Sequence, residues 1–468
     1  MSFLRHTACL VVAVAQLSGC ASISWNPLAR RSHAQAYQRA LEEQTQAALP
    51  EGATLGLEDC VGLALQHNLR VRSAAIRARI AQLDRETAFA NFLPAVELTH
   101  TAVGWDQQPE NVMFGMLSSP IHDQRMYDMA VEMQLPIFVP ATWYLYAMRK
   151  RGEEIGQLVE NYTRQMIVLQ VTALYFHCLA LDETAKSLES QIAAAQTLER
   201  ELGMFRAEGL VSQWQAEQGA ALALARTTML EQTRRSRRQV GAQLMTVLGL
   251  SPLTEVTLQG DRPIGVAERP LEEWVAQALL GNPRLHIADR QAAIQREQVN
   301  LALAEFLPKL AGFASFNHTS NSFVKYPDFW MYGLSGVMSI FNGFANVNEY
   351  RAAREREEDA FLQREEQCLT VMLEVIQAYY NVKNARSGVA LSEKLFSVAS
   401  GRATEVEAQW REGLVSPSDR LAVLADRDRA QMERINAAFQ EQVAMASLLN
   451  VAGAGYAGHE VPDYEKAD

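Results

Sequence analysis

The sequence predicts an α+β chain made of two like halves, and three observations carry that prediction. Residues 57 to 94 and 271 to 308 are one segment written twice: Leu57-Glu58-Asp59-Cys60-Val61 is answered by Leu271-Glu272-Glu273-Trp274-Val275, Asn68 by Asn282, and Phe92-Leu93-Pro94 by Phe306-Leu307-Pro308, all at an offset of 214. Two long stretches, Pro140 to Pro252 and Pro327 to Pro417, hold no internal proline and are rich in Ala, Gln, Glu, Arg and Leu, which favours helix. Between each doubled segment and its proline-free stretch, apolar and polar residues alternate with a period of two, the signature of strands. A period near two hundred residues is too long for a solenoid unit. The halves are therefore expected to fold alike about a shared pseudo-twofold axis, with function where they meet.

Taken in order, residues 1–19 carry Arg5, an apolar run from Ala8 to Ala15, and then Leu17-Ser18-Gly19 before Cys20. The run is too short to span a bilayer and has the layout of a secretory signal. Leu17-Ser18-Gly19-Cys20 resembles a bacterial lipobox, which implies cleavage before Cys20 and acylation of that cysteine. Ala21, not an acidic residue, follows; by analogy with lipoprotein sorting in enteric bacteria this points to the outer membrane. Residues 20–54 then read as a lipidated extension, 55–252 as the first repeat, 253–270 as a linker, 271–452 as the second repeat and 453–468 as a flexible tail.

Without its first nineteen residues the chain keeps 42 of its 43 basic residues against 54 acidic ones, a net charge of −12. Nucleic acid is disfavoured as a partner on that balance. No long uncharged apolar stretch follows the signal, so no transmembrane helix is expected. Cys60, Cys178 and Cys368 are scattered, form no disulfide framework and are expected to be packed in helices. The nine histidines show no His-x-His or His-x-x-x-His pair, and no metal site or other cofactor is expected.

From Ala141 to Arg206 a continuous helix would run roughly 100 Å at about 1.5 Å per residue. In the last helix Leu421, Leu424, Met432, Ile435, Phe439, Val443, Ala446 and Leu449 keep steps of three and four apart from one skipped turn at Asp428, a coiled-coil seam. Arg234, Arg235, Arg237 and Arg238 form a basic run that reads as a solvated or salt-bridging face. Strands are expected near 95–106 and 309–320, paired with the alternating runs Tyr127, Met129, Val131, Met133, Leu135, Ile137 and Trp330, Tyr332, Leu334, Gly336, Met338, Ile340. The hairpins extend over about 95–137 and 309–341, and the loops at about 107–124 and 319–328 hold turn residues. The copy shortens between Pro308 and Ile340, where the offset falls from 214 to 203. Four strands cannot close a barrel, and an open edge is not tolerated in lipid, so closure would come from other chains. Two copies supply eight strands and three supply twelve. In a bilayer, Asp128 and Glu132 would have to face a polar lumen.

This order of elements resembles the TolC-type outer membrane factors, the efflux ducts, and more narrowly their lipoprotein branch. The resemblance covers about residues 55–452 and rests on Asn68 and Asn282, the two Phe-Leu-Pro segments, Ile340-Phe341-Asn342-Gly343 at the second strand exit, Tyr175 and Tyr379, and the tips Gly209-Leu210-Val211-Ser212 and Gly413-Leu414-Val415-Ser416. The first exit, Ile137-Phe138-Val139-Pro140, departs from the Asn-Gly form. The resemblance implies a homotrimer with a twelve-stranded barrel in the outer membrane, continued by a long periplasmic α-helical barrel. It also implies a periplasmic adaptor, met by the two tips, and an inner-membrane pump that supplies the energy; this chain has no Gly-x-x-x-x-Gly-Lys loop. In the resembled family lumen-facing aspartates lie just beyond the second tip, and Asp419 falls there as a candidate pore constriction, with Ala422 where a second would follow. Against this, Ser416-Pro417-Ser418-Asp419 also reads as a helix cap, as does Ser212-Gln213-Trp214-Gln215.

The reading is a passive export duct. A periplasmic hydrolase is disfavoured because Leu334-Ser335-Gly336 lies in a strand pattern and lacks the nucleophile-elbow spacing. A lipid-anchored coiled-coil tether would explain the helices but has no use for two matched hairpins, and a type I protein secretion duct shares the same chain features.

Overall fold

The structure is a computed structural model of the 468-residue chain and describes residues 30–50, 52–113, 117–260, 264–265 and 268–453. The expected signal, Cys20 and nearly all of the expected tail lie outside the described residues. Contacts divide the chain into two units, Met1–Ala53 and Thr54–Asp468. The first contains helix α1 (Arg30–Ala48), supported by an i,i+4 bond from Gln38 to Glu42 and by the Thr45 hydroxyl donating to the Leu41 carbonyl at 2.7 Å.

The second unit runs β1 (Thr54–Leu55), α2 (Leu57–His67), α3 (Leu69–Ala90), β2 (Ala95–Gly104), β3 (Glu110–Met113), β4 (Leu117–Pro120), β5 (Arg125–Phe138), α4 (Pro140–Ala207), α5 (Gln213–Leu248), β6 (Thr257–Leu258), α6 (Leu271–Gly281), α7 (Pro283–Ala304), β7 (Lys309–Thr319), β8 (Asp328–Val337), α8 (Ala345–Arg411) and α9 (Pro417–Val451). The elements follow the same order twice with matched lengths. α2 and α6 have 11 residues each, α3 and α7 have 22 each, α4 and α8 have 68 and 67, and α5 and α9 have 36 and 35. The two copies do not separate into two units, because α4 packs against α3 and α5 of its own copy and against α7 and α9 of the other. Alanines and a glycine allow close approach: a Cβ added at Gly156 of α4 would lie 3.2 Å from the Ala78 main chain of α3.

The helices lie side by side as α3–α4–α7–α8 over one part of the unit and as α5–α4–α9–α8 over the other. The strands repeat that order. β2, β5, β7 and β8 form one antiparallel sheet in which β5 pairs with β7, so the two expected hairpins are neighbours, and β2 and β8 are its edges. Buried apolar side chains run along the helix contacts, among them Val171, Tyr175, Leu188, Leu198, Leu202, Leu244, Val371 and Leu448.

Several expectations need correction. The connection over 105–124 is not a plain loop, since β3 and β4 form a hairpin of their own within it; Asn321, in the shorter connection of the second copy, donates to Ile121 O and accepts from Asp123 N, and Asp123 accepts from Ser322, so the two connections are laced together. Those Ser322 bonds hold the Asp123 carboxyl below its usual value. The last strand ends at Val337, not near 341. Val337 faces Lys309, the first residue of β7 after Pro308, so no paired strand remains beyond it; Gly343 and Phe344 further on adopt left-handed backbone (φ 68° and 66°) at the turn into α8. The departing first exit is direct: β5 runs to Phe138, Val139 caps the helix and Pro140 opens α4, where its missing N–H costs nothing. The expected absence of any span-length apolar helix was too strict. α4 contains an 18-residue window of mean hydropathy 1.3, a third of it buried; Ile167, Val171, Thr172, Tyr175 and Phe176 of this helix are spent on its neighbours, a packing role that raises hydropathy without a bilayer. Cys60 and Cys178 are buried as expected, and burial pushes the Cys178 thiol up to about 11, but Cys368 is half-buried.

Candidate functional site

Three regions hold the residues that the sequence singled out. The first is a pair of locks. Asn68 caps α3 by accepting from Arg70 N and Val71 N, while its amide donates to the Val247 carbonyl at the end of α5 (2.6 Å). Asn282 does the same between α7 and α9, accepting from Arg284 N and donating to Val451 O at 2.9 Å. Each lock is completed by a left-handed glycine. A Cβ at Gly249 would meet His67 O at 2.3 Å, and one at Gly453 would meet Gly281 O at 2.6 Å. The repeated asparagines are thus fold residues, joining the start of each copy to its end.

The second region is the sheet. Residues directly opposite one another share a face, so the register sorts the side chains. One face carries Val96 and Leu98 of β2, Tyr127, Val131 and Met133 of β5, Phe316 of β7, and Trp330, Tyr332 and Leu334 of β8. All but the half-buried Val131 and Phe316 are exposed, to an extent no water-facing sheet would show: Tyr332 is 81% and Leu334 80% accessible. The other face carries Glu97 opposite Glu132, Thr101 opposite Asp128, and Ser315, Asn317 and Thr319 of β7, with Phe329 and Met331 of β8 as apolar residues at its edge. Asp128 and Glu132 lie on this polar face, as the alternation required. The outer side of β2 and of β8 is unpaired among the described residues.

The third region is the pair of tips joining the long helices. At the first, Gly209 is left-handed (φ 76°), Leu210 N donates to Phe205 O and Gly209 N to Arg206 O. At the second, Gly413 (φ 74°) makes the matching bonds with Leu414 N to Gln409 O and Gly413 N to Trp410 O. Both are Schellman caps. Capping does not consume the leucines, since Leu210 is 68% and Leu414 71% exposed, while Val211 and Val415 are half-buried. Ser212 and Ser416 then cap the next helices. Ser212 accepts nothing from a distant group; its N–H and hydroxyl both donate to Gln215. Ser416 Oγ accepts from Asp419 N (3.2 Å) and donates to Asp419 Oδ2 (2.6 Å), so the exposed Asp419 has a capping partner in its own turn.

Beside the second tip lies a group that sequence reading missed. Arg420 is buried, grips Glu407 of α8 through two nitrogens at 2.8 Å, reaches Glu201 of α4 at 2.8 Å, and stands 4.9 Å from the Trp410 ring centroid. Phe205 of α4 meets the same tryptophan at 6.1 Å. Further along, buried Asp428 binds Arg226 of α5 at 3.0 Å and Arg427 at 2.7 Å. The skipped turn in the apolar seam was the signal for this second cluster, because a charge in a seam needs a partner across it. The basic run on α5 is a salt-bridging face as read: Arg234 pairs with Glu189, Arg237 with Asp182 and Arg238 with Glu255.

Comparisons with known proteins give a sequence match over part of the chain and a fold match over most of it. Residues 274–454 match the family described as outer membrane efflux protein. No curated protein matches significantly. Among solved structures the chain is similar to a membrane protein from Pseudomonas aeruginosa (TM-score 0.75, 16% identity, 86% of this chain and 90% of that one), to the Campylobacter jejuni CmeC outer membrane channel (0.75, 16%, 86% and 87%) and to the outer membrane protein VceC from Vibrio cholerae (0.73, 16%, 86% and 97%). The resemblance to the TolC-type outer membrane factors is thereby shown, in sequence for the second copy and in fold for most of the chain.

Proposed function

We propose that this chain is the exit duct of a tripartite efflux or export system, a passive channel and not an enzyme, which accepts substrate from a periplasmic adaptor and inner-membrane pump and conducts it across the outer membrane. One observation carries the reading: a four-stranded sheet with an apolar face, a polar acidic face and two unpaired edges. Such a sheet is unstable in water and in lipid until its edges are joined. β8 of one copy can pair with β2 of the next, and three copies give twelve strands, Glu97, Asp128 and Glu132 then facing a wet lumen. The helices support the same arrangement. Leu362, Leu369, Leu373, Leu391 and Leu395 leave an exposed apolar seam along α8, at one edge of the layer, and Ile76, Ile80 and Leu83 leave another on α3 at the opposite edge. The test is direct: detergent-purified protein should migrate as a trimer in unheated gels and open discrete channels in planar bilayers. A monomer that leaves the bilayer silent would overturn the proposal.

On this reading residues 1–19 are a signal, Cys20 carries the lipid, the copies occupy 55–252 and 271–452 with 253–270 between them, and the barrel anchors the chain in the outer membrane. Cys20→Ala should abolish incorporation of labelled fatty acid while trimers still form, because the barrel would supply its own membrane attachment; label retained in the variant would count against the lipobox.

Asp419 is proposed as a charged constriction in addition to its cap. Three copies around one axis would repel one another and attract cations. Asp419→Gln keeps the capping geometry, for Gln215 already does so in the first copy. The variant is expected to lose divalent-cation block and cation selectivity in single-channel recordings with its melting temperature nearly unchanged. Normal block in a destabilised trimer would leave Asp419 with the cap alone.

A further inference from the structure

At the end of the sheet remote from the helices, one side chain holds the two copies together. α3 and α7 lead into β2 and β7, and β5 and β8 lead back towards helices, so the connections 105–124 and 320–327 lie together at the other end. Asn321 sits between them and is only 3% exposed. Its Oδ1 accepts from Asp123 N at 3.3 Å and from Phe323 N at 3.2 Å, and its amide nitrogen donates to Ile121 O at 3.0 Å. Those three main-chain partners fix which end of the amide is the nitrogen. The same nitrogen stands 3.0 Å from Nδ1 of His122, whose ring stacks on Trp105 with centroids 5.5 Å apart. An amide nitrogen only donates, so Nδ1 must accept. The bond therefore requires a neutral imidazole that carries its proton on Nε2.

Protonation of the ring puts an N–H where that acceptor was. Asn321 cannot answer by turning its amide over, because the turn sets N–H donors against Asp123 N and Phe323 N and an oxygen against Ile121 O, losing three bonds to keep one. Histidine is the side chain whose ordinary charge change falls between about pH 5 and 8. The other ionisable groups on the segments around the ring are Asp106, Glu110, Asp123 and Arg125 in the first copy and His318, Lys325 and Asp328 in the second. Asp106 accepts from Gln107 N, and His318 pairs with Asp328 at 2.6 Å. Asp123 accepts from Ser322 N and Oγ, and these bonds hold its carboxyl below a usual value that is itself about 4. A depressed carboxyl contributes its stability above the unfolded value and loses it only as pH falls through the folded one. Asp123 is thus charged throughout the range in which a histidine titrates.

We propose that His122 and Asn321 form a proton-released latch, which joins the two connections at neutral pH and frees them in acid. That the latch lies at the external mouth of a duct rests on the reading given above; its bonds lie within one chain. The test is amide hydrogen exchange of the full-length, detergent-purified protein at about pH 7.5 and about pH 5, on either side of the ordinary histidine range, each rate divided by that of an unstructured amide at the same pH. The N–H groups of Asp123, Ser322 and Phe323 report directly, because each is bonded within the laced connections. Their protection should fall roughly tenfold or more at the lower pH, the effect of opposing one buried donor to another, while amides between β5 and β7 keep theirs. His122→Asn, which offers a carbonyl oxygen at the place of Nδ1 and does not titrate, should stay protected at both pH values. His122→Phe, which keeps a ring on Trp105 without an acceptor, should be unprotected at both. Equal protection of the parent at the two pH values, or a loss in acid that persists in His122→Asn, overturns the proposal. A bilayer silent at both pH values would overturn the duct and not the latch, which exchange decides by itself.

Discussion

Gly249→Ala should abolish stable assembly, with a cost of about 3 kcal/mol or more per chain. Two effects add. An alanine held at φ 76° carries roughly 1–2 kcal/mol of backbone strain. The new Cβ also meets a main-chain oxygen, His67 O, at 2.3 Å, and no rotamer can relieve a contact between a Cβ and a backbone. The clash would push the end of α5 away from Asn68, whose amide holds Val247 O, so the cap of α3 suffers with it. Gly209→Ala is the control. It has the same φ but nothing within 4 Å, so it should show only the strain, about 1 kcal/mol, and still give trimers. Thermal melts by circular dichroism and unheated gels would separate the two. Equal melting temperatures for both variants would show that the lock is dispensable.

Changing Leu210 and Leu414 together to Asp is expected to abolish export while trimer content and membrane level stay near those of the parent. Neither leucine is part of a core, and the Schellman bonds at both tips are made by main-chain groups. The fold therefore loses little: an acid beside a helix C-terminus costs about 0.3–1 kcal/mol. A docked partner loses much more. Placing a charge where an apolar anchor is desolvated costs about 2 kcal/mol or more at each contact, and the proposed trimer would present six contacts. Leu210→Ser with Leu414→Ser, which removes the anchor without the charge, should give an intermediate loss. Export at parental level in the Asp variant would rule out the tips as the docking surface.

The helices, the two hairpins and the tips were legible because each rests on a local rule. Proline at 140 and 417, glycine at 209 and 413, and alternation from Tyr127 to Ile137 all act within a few residues. Asp128 and Glu132 could be assigned to the polar face for the same reason. What escaped was the product of distant pairing. β1 and β6 have two residues each and are joined by nothing between them in sequence. The hairpin β3–β4 sat in a stretch whose turn residues concealed short strands. Arg420 binds Glu201 across 219 positions, and no spacing rule reaches that far. The early end of β8 followed from its register with β7, whose first residue, Lys309, faces Val337. Ser212 and Ser416 were read as caps and are caps, whereas the lumenal part assigned to Asp419 concerns a neighbour that one chain does not contain.

The open edges of the sheet also bear on how such a protein is made. A newly made single chain carries β2 and β8 as strands whose outer sides are unpaired among the described residues, and between them a face of Trp330, Tyr332 and Leu334 turned to the surroundings. Every such chain is a template for the wrong neighbour as much as for the right one. Two mismatched copies would also leave an edge bare, and addition could continue without closing. The interval between arrival and assembly is thus the hazardous part of the molecule's life. If the chain assembles as the proposed trimer, its yield will be governed by how quickly three copies find each other, or by a holding factor that shields the strands until they do.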